Sequence, residues 1–325
     1  MLIVTSPVNI RYFAGVELEA YERFAALIIC GARRAFVVPK LDEGRVPGPS
    51  FAYSDGEDPA NALRKAVEIC GDREIEIDGG TTLRAWEIVK RALGISTYKI
   101  ADDYINNLRA VKKPEEVDRI AKAAEAIREI IAEAYAELRP GVSEREAAAS
   151  IYLKLVERGL QPGPILVQFG ENTALPHQGP TGRRLREGDV VIIDVTAAYE
   201  GYYGDITRTF AFRGEPAGFR EIFGAVSEAQ MAAIATAKPG VSAGEVDEAA
   251  RSVLRNRGLD RYFVHRTGHG LGLEFHEAPN IAPGERYELK PGNVFTVEPG
   301  VYLQGRFGVR IEDDVVIDDR GARIL

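Results

Sequence analysis

The sequence predicts an α/β protein with two domains, the second of which is a duplicated helix–helix–strand–strand (ααββ, α+β) unit. The length of 325 residues is the first observation, because it exceeds the ~100–200 residues of a common domain. The second is a change of pattern near residue 105, and the third is an internal repeat beyond it. We therefore expect domains at residues 1–104 and 105–325.

The first domain alternates short apolar runs with helical patterns. The runs AALIICG, RAFVVP and EIEID are separated or followed by helical patterns at residues 58–70 and 82–93, which is typical of a small α/β domain. The only two cysteines, Cys30 and Cys70, lie in the apolar contexts LIIC and VEIC. We expect two buried free thiols and no disulfide bond.

The junction between the domains is the segment YINNLRAVKKPEEVDRI, which changes from an extended to a helical pattern. Pro114, followed by Glu115 and Glu116, places a proline and two acids in a first helical turn. The apolar positions of residues 115–138 have helical spacing, so this segment is predicted to be a helix that covers a sheet.

The second domain repeats itself. Residues 139–160, RPGVSEREAAASIYLKLVERGL, align without gaps on residues 238–259, KPGVSAGEVDEAARSVLRNRGL. A later pair, LREGDVVIIDV on LKPGNVFTVEP, places Asp194 opposite Glu298. A serine N-cap after a Pro-Gly turn explains PGVS alone, but it does not explain the shared register. We infer a duplication in which each half is a helix, a PGVS cap, a second helix and a β-hairpin.

An apolar run in the first hairpin ends on a carboxylate. The residues Val190 to Ile193, opened by Gly188-Asp189, are predicted to be a buried strand with Asp194 at its end. An ionised carboxylate on a buried strand costs several kcal/mol unless it is paired or binds a cation.

The duplication brings further acids to the same place. If the halves are related by a pseudo-twofold axis, Asp194 and Glu298 face each other, and the hairpins return Asp205 and Glu312. The nearby arginines, Arg208 and Arg310, are too few to neutralise four carboxylates. A pair of divalent metal ions is the simpler compensation.

All four histidines of the chain lie between the two acidic hairpins. They are His177, His265, His269 and His276. Three of them fall in the glycine-rich segment HRTGHGLGLEFHE, where glycines allow the backbone to approach closely. Isolated histidines are more often structural than ligands, but their clustering favours a site. Carboxylates with a histidine suit Mn, Co, Fe or Zn.

These motifs resemble the catalytic domain of the pita-bread metallopeptidases, the superfamily of methionine aminopeptidases, prolidases and aminopeptidase P. The resemblance covers residues 105–325 and rests on GDVVIIDV, GYYGDITRTF, HRTGHGLGLEFHE, TVEPGVY and GVRIED. The segment SPVNIRYFAG is similar to the opening of creatinase-type N-terminal domains. Together they resemble the Xaa-Pro peptidases. One departure is Gly204, where the family commonly has serine.

The resemblance implies a site for two divalent metal ions (Mn, Co, Zn or Fe). Its implied ligands are Asp194, Asp205, His269, Glu298 and Glu312. Its implied catalytic residues are Glu298 as general base, His177, His265, His276 and Arg310. The residues implied to bind substrate are His177, His276 and Tyr302.

The activity that the resemblance implies is hydrolysis of the peptide bond before proline, in Xaa-Pro dipeptides, by a homodimer. Three alternatives stay open. One is aminopeptidase P activity on longer Xaa-Pro peptides, and another is methionine aminopeptidase activity. The third, of another class, is a non-catalytic binding module on the same fold, which would not need the metal ligands.

Composition excludes other partners. The net charge is −8, whereas a nucleic-acid-binding protein needs a basic face. No run approaches the ~18 apolar residues of a membrane span. The N-terminal segment MLIVTSPVNIRYFAG has no basic start and is broken by Pro7, so we expect no signal peptide and a cytoplasmic location.

Overall fold

The computed structural model describes residues 1–71 and 74–325, which form two units, Met1–Arg109 and Ala110–Leu325. The boundary expected after residue 104 falls inside a helix, Asp102–Ala110, and the division of the structure comes near that helix's end. The predicted change of pattern near residue 105 is therefore the start of a connecting helix.

The described residues of the N-terminal unit form a six-stranded sheet with four helices. The strands, in chain order, are β1 (Leu2–Val4), β2 (Ala26–Cys30), β3 (Arg33–Pro39), β4 (Ser50–Tyr53), β5 (Glu76–Ile77) and β6 (Lys99–Ile100). The helices are α1 (Pro7–Ala14), α2 (Pro59–Val67), α3 (Leu83–Leu93) and α4 (Asp102–Ala110). The strand order is β4-β3-β2-β1-β5-β6, with antiparallel β1–β2 and β2–β3 pairs and parallel pairs elsewhere.

Capping explains where two of these helices begin. The Asp58 side chain accepts a hydrogen bond from the Ala60 N–H, and the Thr82 hydroxyl accepts one from the Ala85 N–H. Each bond satisfies a backbone donor that the first turn leaves without a helical partner. Helix α3 ends at Gly94, which adopts a left-handed φ of 66°. The predicted helix at residues 58–70 ends earlier, at Val67.

The prediction of two free thiols is wrong. Cys30, at the end of β2, and Cys70, after α2, are both buried and form a disulfide bond, with their Cα atoms 5.5 Å apart. The apolar contexts LIIC and VEIC predicted burial correctly. They did not show that the sheet and the helix packed on it bring two residues 40 positions apart into bonding distance.

The C-terminal unit has four helices and ten strands among its elements. The helices are α5 (Pro114–Glu137), α6 (Glu144–Glu157), α7 (Phe219–Thr236) and α8 (Ala243–Asn256). The strands of its first half are β7 (Gln161–Phe169), β8 (Val190–Tyr199) and β9 (Tyr202–Ala211). Those of its second half are β10 (Gly268–Gly270), β11 (Glu277–Ile281), β12 (Val294–Val297), β13 (Gly300–Leu303), β14 (Phe307–Arg310), β15 (Asp313–Asp318) and β16 (Gly321–Ile324).

The strands of the C-terminal unit form three sheets. Their orders are β7-β8-β9, β11-β10-β12-β15-β16 and β13-β14. A β-bridge between Thr207 of β9 and Glu312, just before β15, connects the two halves. The acid-rich tail segment DDRG is a hairpin turn between β15 and β16, as its sequence indicates.

The repeated motif has the same local structure in both halves. Ser143 and Ser242 each form a capping box with the glutamate three residues later. The glycine before each cap donates its N–H to an equivalent leucine carbonyl, Leu185 or Leu289, at 2.8 Å. Two apolar cores follow the same division, one around α5, α6 and β7–β9 and the other around α7, α8 and the second set of strands. The structure therefore confirms the predicted fold class.

One strand differs from its prediction. Strand β8 does not end at Asp194 but continues to Tyr199, paired with β9 throughout. Its end is set by the two-residue turn at Glu200 and Gly201, which have φ values of 47° and 78°. Asp194 thus lies within the sheet, opposite Thr207.

Gly204 lies on β9 under helix α5. A Cβ atom at this position would lie 2.7 Å from the Ala124 backbone N. A serine here would force the helix and the strand apart, so glycine permits the close packing of α5 on β9.

The helices contain no segment, among residues 1–71 and 74–325, that is long and apolar enough to span a bilayer.

We predict that Cys30→Ser lowers the free energy of unfolding by about 3–4 kcal/mol, because the disulfide closes a loop of 40 residues in the unfolded chain. Denaturant unfolding followed by circular dichroism measures the change, and wild-type protein under a strong reductant is the control. Two titratable thiols in the denatured, unreduced wild-type chain would contradict the prediction.

Candidate metal centre and active site

The predicted site residues line one cavity of about 470 Å³ in the C-terminal unit. Its wall includes all five predicted metal ligands: Asp194, Asp205, His269, Glu298 and Glu312. It also includes His177, His265, His276 and Arg310. Tyr302 does not line the cavity but contacts His265 and Arg310 directly behind it. The strands that carry these residues come from both halves of the repeat.

Three of the predicted ligands form a tight cluster. Asp205, His269 and Glu312 are buried, and each offers a ligand atom within 4.8 Å of those of the other two. Glu298 lies beside them, with its Oε1 atom 3.3 Å from Nε2 of His269. The Asp194 carboxylate accepts a hydrogen bond from the Arg310 guanidinium at 2.5 Å.

The His269 ring has a defined orientation. Its Nδ1 atom lies 3.2 Å from the Gly270 carbonyl oxygen, which can only accept, so Nδ1 carries the hydrogen. Nε2 then faces the carboxylates: a hydrogen on it can be donated to Glu298, and loss of that hydrogen leaves the lone pair that a metal ion would bind. Gly268 and Gly270 permit this placement, because a Cβ at either would lie within 2.1 Å of a neighbouring carbonyl oxygen.

Polar residues behind the cluster hold its carboxylates in place. Thr196 donates to Oδ1 of Asp205 at 2.9 Å, and Thr207 donates to Oε2 of Glu312 at 2.6 Å. Asp314, fully buried, accepts a hydrogen bond from the Asp205 backbone N–H at 2.9 Å. These contacts fix the direction of the oxygen atoms that face the cavity.

The carboxylates strongly perturb one another. Burial, together with the charges of Asp194 and Asp314, raises the pKa of Asp205 well above its usual range. Burial and the charge of Asp205 raise the pKa of Glu312 in the same way. Burial also acts on Glu298, but its contact with His269 lowers the pKa of Glu298 to about 2. Without a cation, Asp205 and Glu312 therefore favour their protonated forms.

A hydrogen-bonded chain connects Arg310 to His265. Nη1 of Arg310 donates to the Tyr302 hydroxyl at 2.9 Å, and the hydroxyl contacts Nε2 of His265 at 2.8 Å. Nδ1 of His265 lies 2.8 Å from the Arg266 carbonyl oxygen, so Nδ1 carries the hydrogen and Nε2 accepts from Tyr302. Burial lowers the pKa of His265 and raises that of Tyr302 to about 12, so both are neutral near pH 7.

The remaining two histidines are exposed at the cavity wall. His177 follows β7, and His276 precedes β11, where its ring centre lies 4.1 Å from that of His269. Burial and the nearby His269 lower the pKa of His276 to about 4, so it is neutral near pH 7. The next residue, Glu277, is held by a buried ion pair with Lys112, with a 2.6 Å N–O distance. This pair anchors the segment that carries His276.

Sequence reasoning missed several supporting residues. Asp247 of α8 is fully buried, pairs with Arg251, and accepts from both the N–H and the hydroxyl of Thr267. It thereby holds the segment that carries His265 and His269. Asp314 was also missed, because nothing in the acid-rich segment EDDVVIDD distinguishes it from the neighbouring acids. The residues Thr207 and Thr209 had a detectable signal, since they alternate with Asp205 on one face of β9.

The donor set fits divalent metal ions. It combines carboxylate oxygens with one imidazole nitrogen, Nε2 of His269, that faces them, which is typical ligation for Mn, Fe, Co or Zn. The raised pKa values of Asp205 and Glu312 show that the buried carboxylates need positive charge to ionise together.

Comparisons with known proteins agree with this site. Residues 118–319 match the model of metallopeptidase family M24, and residues 1–111 match the creatinase/prolidase N-terminal domain. The chain is 36% identical to the probable dipeptidase PepE of Mycobacterium tuberculosis over 333 residues, covering 99% of this chain and 88% of the relative.

Two solved structures have the same fold. The prolidase from Pyrococcus furiosus has a TM-score of 0.89 and 34% identity, covering 99% of this chain and 95% of that one. The X-Pro aminopeptidase from Thermotoga maritima has a TM-score of 0.87 and 29% identity, covering 99% and 94%.

The fold and the site thus define a metal-dependent peptidase, as the sequence motifs predicted. The chain belongs to metallopeptidase family M24.

We predict that Thr207→Val lowers metal affinity by about tenfold or more, because it removes the hydroxyl that orients Glu312. It should also lower the free energy of unfolding by about 1–2 kcal/mol. Metal titration by calorimetry and denaturant unfolding measure the two effects. Thr236→Val, which removes a hydroxyl bonded within helix α7, is the matched control and should leave metal affinity unchanged.

We predict that metal-free protein loses stability as the pH rises above the ordinary carboxyl pKa near 4. The folded-state pKa values of Asp205 and Glu312 are raised, so their contribution is complete below the ordinary carboxyl pKa near 4 and is lost as the pH passes the raised values. A bound cation replaces these protons. The increase in Tm on adding Mn or Zn to EDTA-treated protein should therefore be larger at pH 8 than at pH 6. Equal increases at both pH values would contradict this.

Proposed function

We propose that this protein hydrolyses the peptide bond preceding proline, with Xaa-Pro dipeptides as its main substrates and two divalent metal ions as cofactors. The observation that carries the proposal is the single cavity lined by five donor side chains and three further histidines. The relatedness to the prolidase from Pyrococcus furiosus supports the choice of bond.

The ligands of the ions would be Asp194, Asp205, His269, Glu298 and Glu312. When bound, the ions supply Lewis acidity, which lowers the pKa of a water molecule and polarises the scissile carbonyl. Arg310 would release or share the Asp194 carboxylate, which it contacts in the structure.

Glu298 is the proposed general base. Its low pKa keeps it ionised at neutral pH, so Oε1 is able to accept the proton of the attacking water. The same carboxylic acid would then give this proton to the proline nitrogen, which carries no hydrogen in the peptide bond and needs one to leave.

The histidines would act on the substrate. His276 is neutral near pH 7 and lies beside His269, so its N–H is available to donate to the carbonyl oxygen as negative charge develops there. His177, which also lines the cavity, would act on the same carbonyl group. His265 and Tyr302 form a neutral pair that orients Arg310.

A second candidate is aminopeptidase P activity on longer Xaa-Pro peptides. The structural likeness to the X-Pro aminopeptidase from Thermotoga maritima favours it, since the fold is shared almost as closely as with the prolidase.

A homodimer and a cytoplasmic location belong to the same proposal, and the dimer rests on the resemblance. Tyr98, Ile100 and Tyr104 expose apolar surface at one edge of the N-terminal unit, which a second copy would cover. Light scattering of the purified chain tests the dimer, and a monomeric mass would refute it. Fractionation of the native cell tests the location.

We predict that Glu298→Gln lowers kcat for an Xaa-Pro dipeptide by about 10²–10⁴-fold, because it removes the proposed proton acceptor. The assay uses metal-stripped protein, with Mn, Co or Zn added back, on a dipeptide and on a longer Xaa-Pro peptide. Cleavage mainly of the longer peptide would favour the aminopeptidase. Absence of metal-dependent cleavage of both would refute the proposed function and direct attention to Met-initiated peptides.

A further inference from the structure

Arg266 is a cation in the cavity wall that has no acidic partner within residues 1–71 and 74–325. Among the described residues, no carboxylate lies within 4.0 Å of its guanidinium, and the side chain's hydrogen bond is to the neutral amide oxygen of Asn280. The other arginines around the site differ. Arg310 pairs with Asp194, Arg208 with Asp313 and Arg251 with Asp247.

The position of Arg266 is well defined. Its backbone carbonyl accepts the hydrogen bond from His265, and the next residue, Thr267, is held by the buried Asp247. The side chain is half-buried, and this burial lowers the pKa of Arg266, which means that the charge is poorly solvated where it lies. The negative charge of Glu298 acts on it without a direct contact.

A half-buried guanidinium without an acidic partner among the described residues is suited to bind a planar anion with two oxygen atoms. It offers five N–H donors in a fixed fork that matches a carboxylate, and Asn280 occupies only part of it. The cavity that it faces is small, at about 470 Å³, and Pro164, Leu166 and Phe275 give it an apolar wall. This volume lies towards the lower end of the ~300–1,000 Å³ of small-molecule pockets.

We propose that Arg266 binds the free C-terminal carboxylate of a dipeptide substrate and so selects dipeptides against longer or C-terminally amidated peptides. The proposal rests on the proposed function and deepens it, since it names a specificity residue. In a longer peptide the same position would hold an uncharged amide, and the half-buried cation would stay without an anionic partner.

The test compares Ala-Pro with its C-terminal amide, using Arg266→Met and the conservative Arg266→Lys. We expect the wild type to have a kcat/KM about 10–100-fold higher for the acid, as for a hydrogen bond between charged groups. Arg266→Met should remove most of this preference by raising KM for the acid. Its kcat/KM for the amide should stay within about twofold of the wild-type value. Arg266→Lys should retain part of it.

Two further variants sharpen the test. Asn280→Asp places a carboxylate against Arg266 and should weaken the preference for the dipeptide acid, as Arg266→Met does. Arg286→Met removes an exposed arginine of the same half of the unit and should change neither substrate's kinetics. Equal kcat/KM of wild type for acid and amide would overturn the proposal, as would an equal loss for both substrates in Arg266→Met.

Binding measurements separate this proposal from the proposed function. Calorimetric binding of Ala-Pro and its amide to wild type and Arg266→Met has no need of turnover. If the wild type cleaves neither compound but binds the acid more tightly, with that difference lost in Arg266→Met, the proposed reaction fails and the carboxylate site stands. If both compounds bind the wild type equally, the carboxylate site fails even where Xaa-Pro cleavage is observed.

Discussion

The C-terminal unit is built around the mutual repulsion of buried carboxylates. Asp194, Asp205, Glu298 and Glu312 line one cavity, and burial there disfavours the charged forms of Asp205 and Glu312. The fold tolerates this arrangement because neutral donors hydrogen-bond to the acids. Threonine hydroxyls on strands β8 and β9 donate to Asp205 and Glu312, and the Asp205 backbone N–H donates to Asp314. A bound cation would remove the energetic cost of crowding these acids. The repulsion that destabilises the metal-free protein is therefore also the source of its affinity for metal.

Arginine has two distinct roles around this centre. Arg310 is fully engaged, since it contacts an acid, a tyrosine and a threonine, and through Tyr302 it is connected to Nε2 of His265. Arg266 has a neutral anchor and remains available to an anion. The difference follows from position, because Arg310 ends a buried strand while Arg266 lies in the loop that enters β10.

Much of this architecture was predictable from the sequence because it depends on local patterns. The PGVS caps and the register of the repeat indicated the duplication, and the same register placed Asp194 opposite Glu298. Clustering of histidines in a glycine-rich segment indicated the site, and the structure shows why the glycines are needed at Gly268 and Gly270. Comparison with relatives agrees with the family and the fold class.

Other features could not be predicted because they depend on distant parts of the chain. The bond between Cys30 and Cys70 requires the packing of α2 against the sheet. Local sequence patterns do not predict this packing. Asp314 lies among other acids in the segment EDDVV, yet it alone is held beneath Asp205 by the approach of β15 to β9. Strand β8 continues past Asp194 because the turn at Gly201, and not the carboxylate, ends it.

The bridge between Thr207 and Glu312 has a consequence for the origin of the site. Each half of the unit supplies only part of the donor set, Asp194 and Asp205 from one and His269, Glu298 and Glu312 from the other. An ancestral chain with a single half could have assembled such a centre only by pairing with a second identical copy. If two such copies were then fused, each half was free to change alone, which would allow a histidine-rich loop, HRTGHGLGLEFHE, in the second half only.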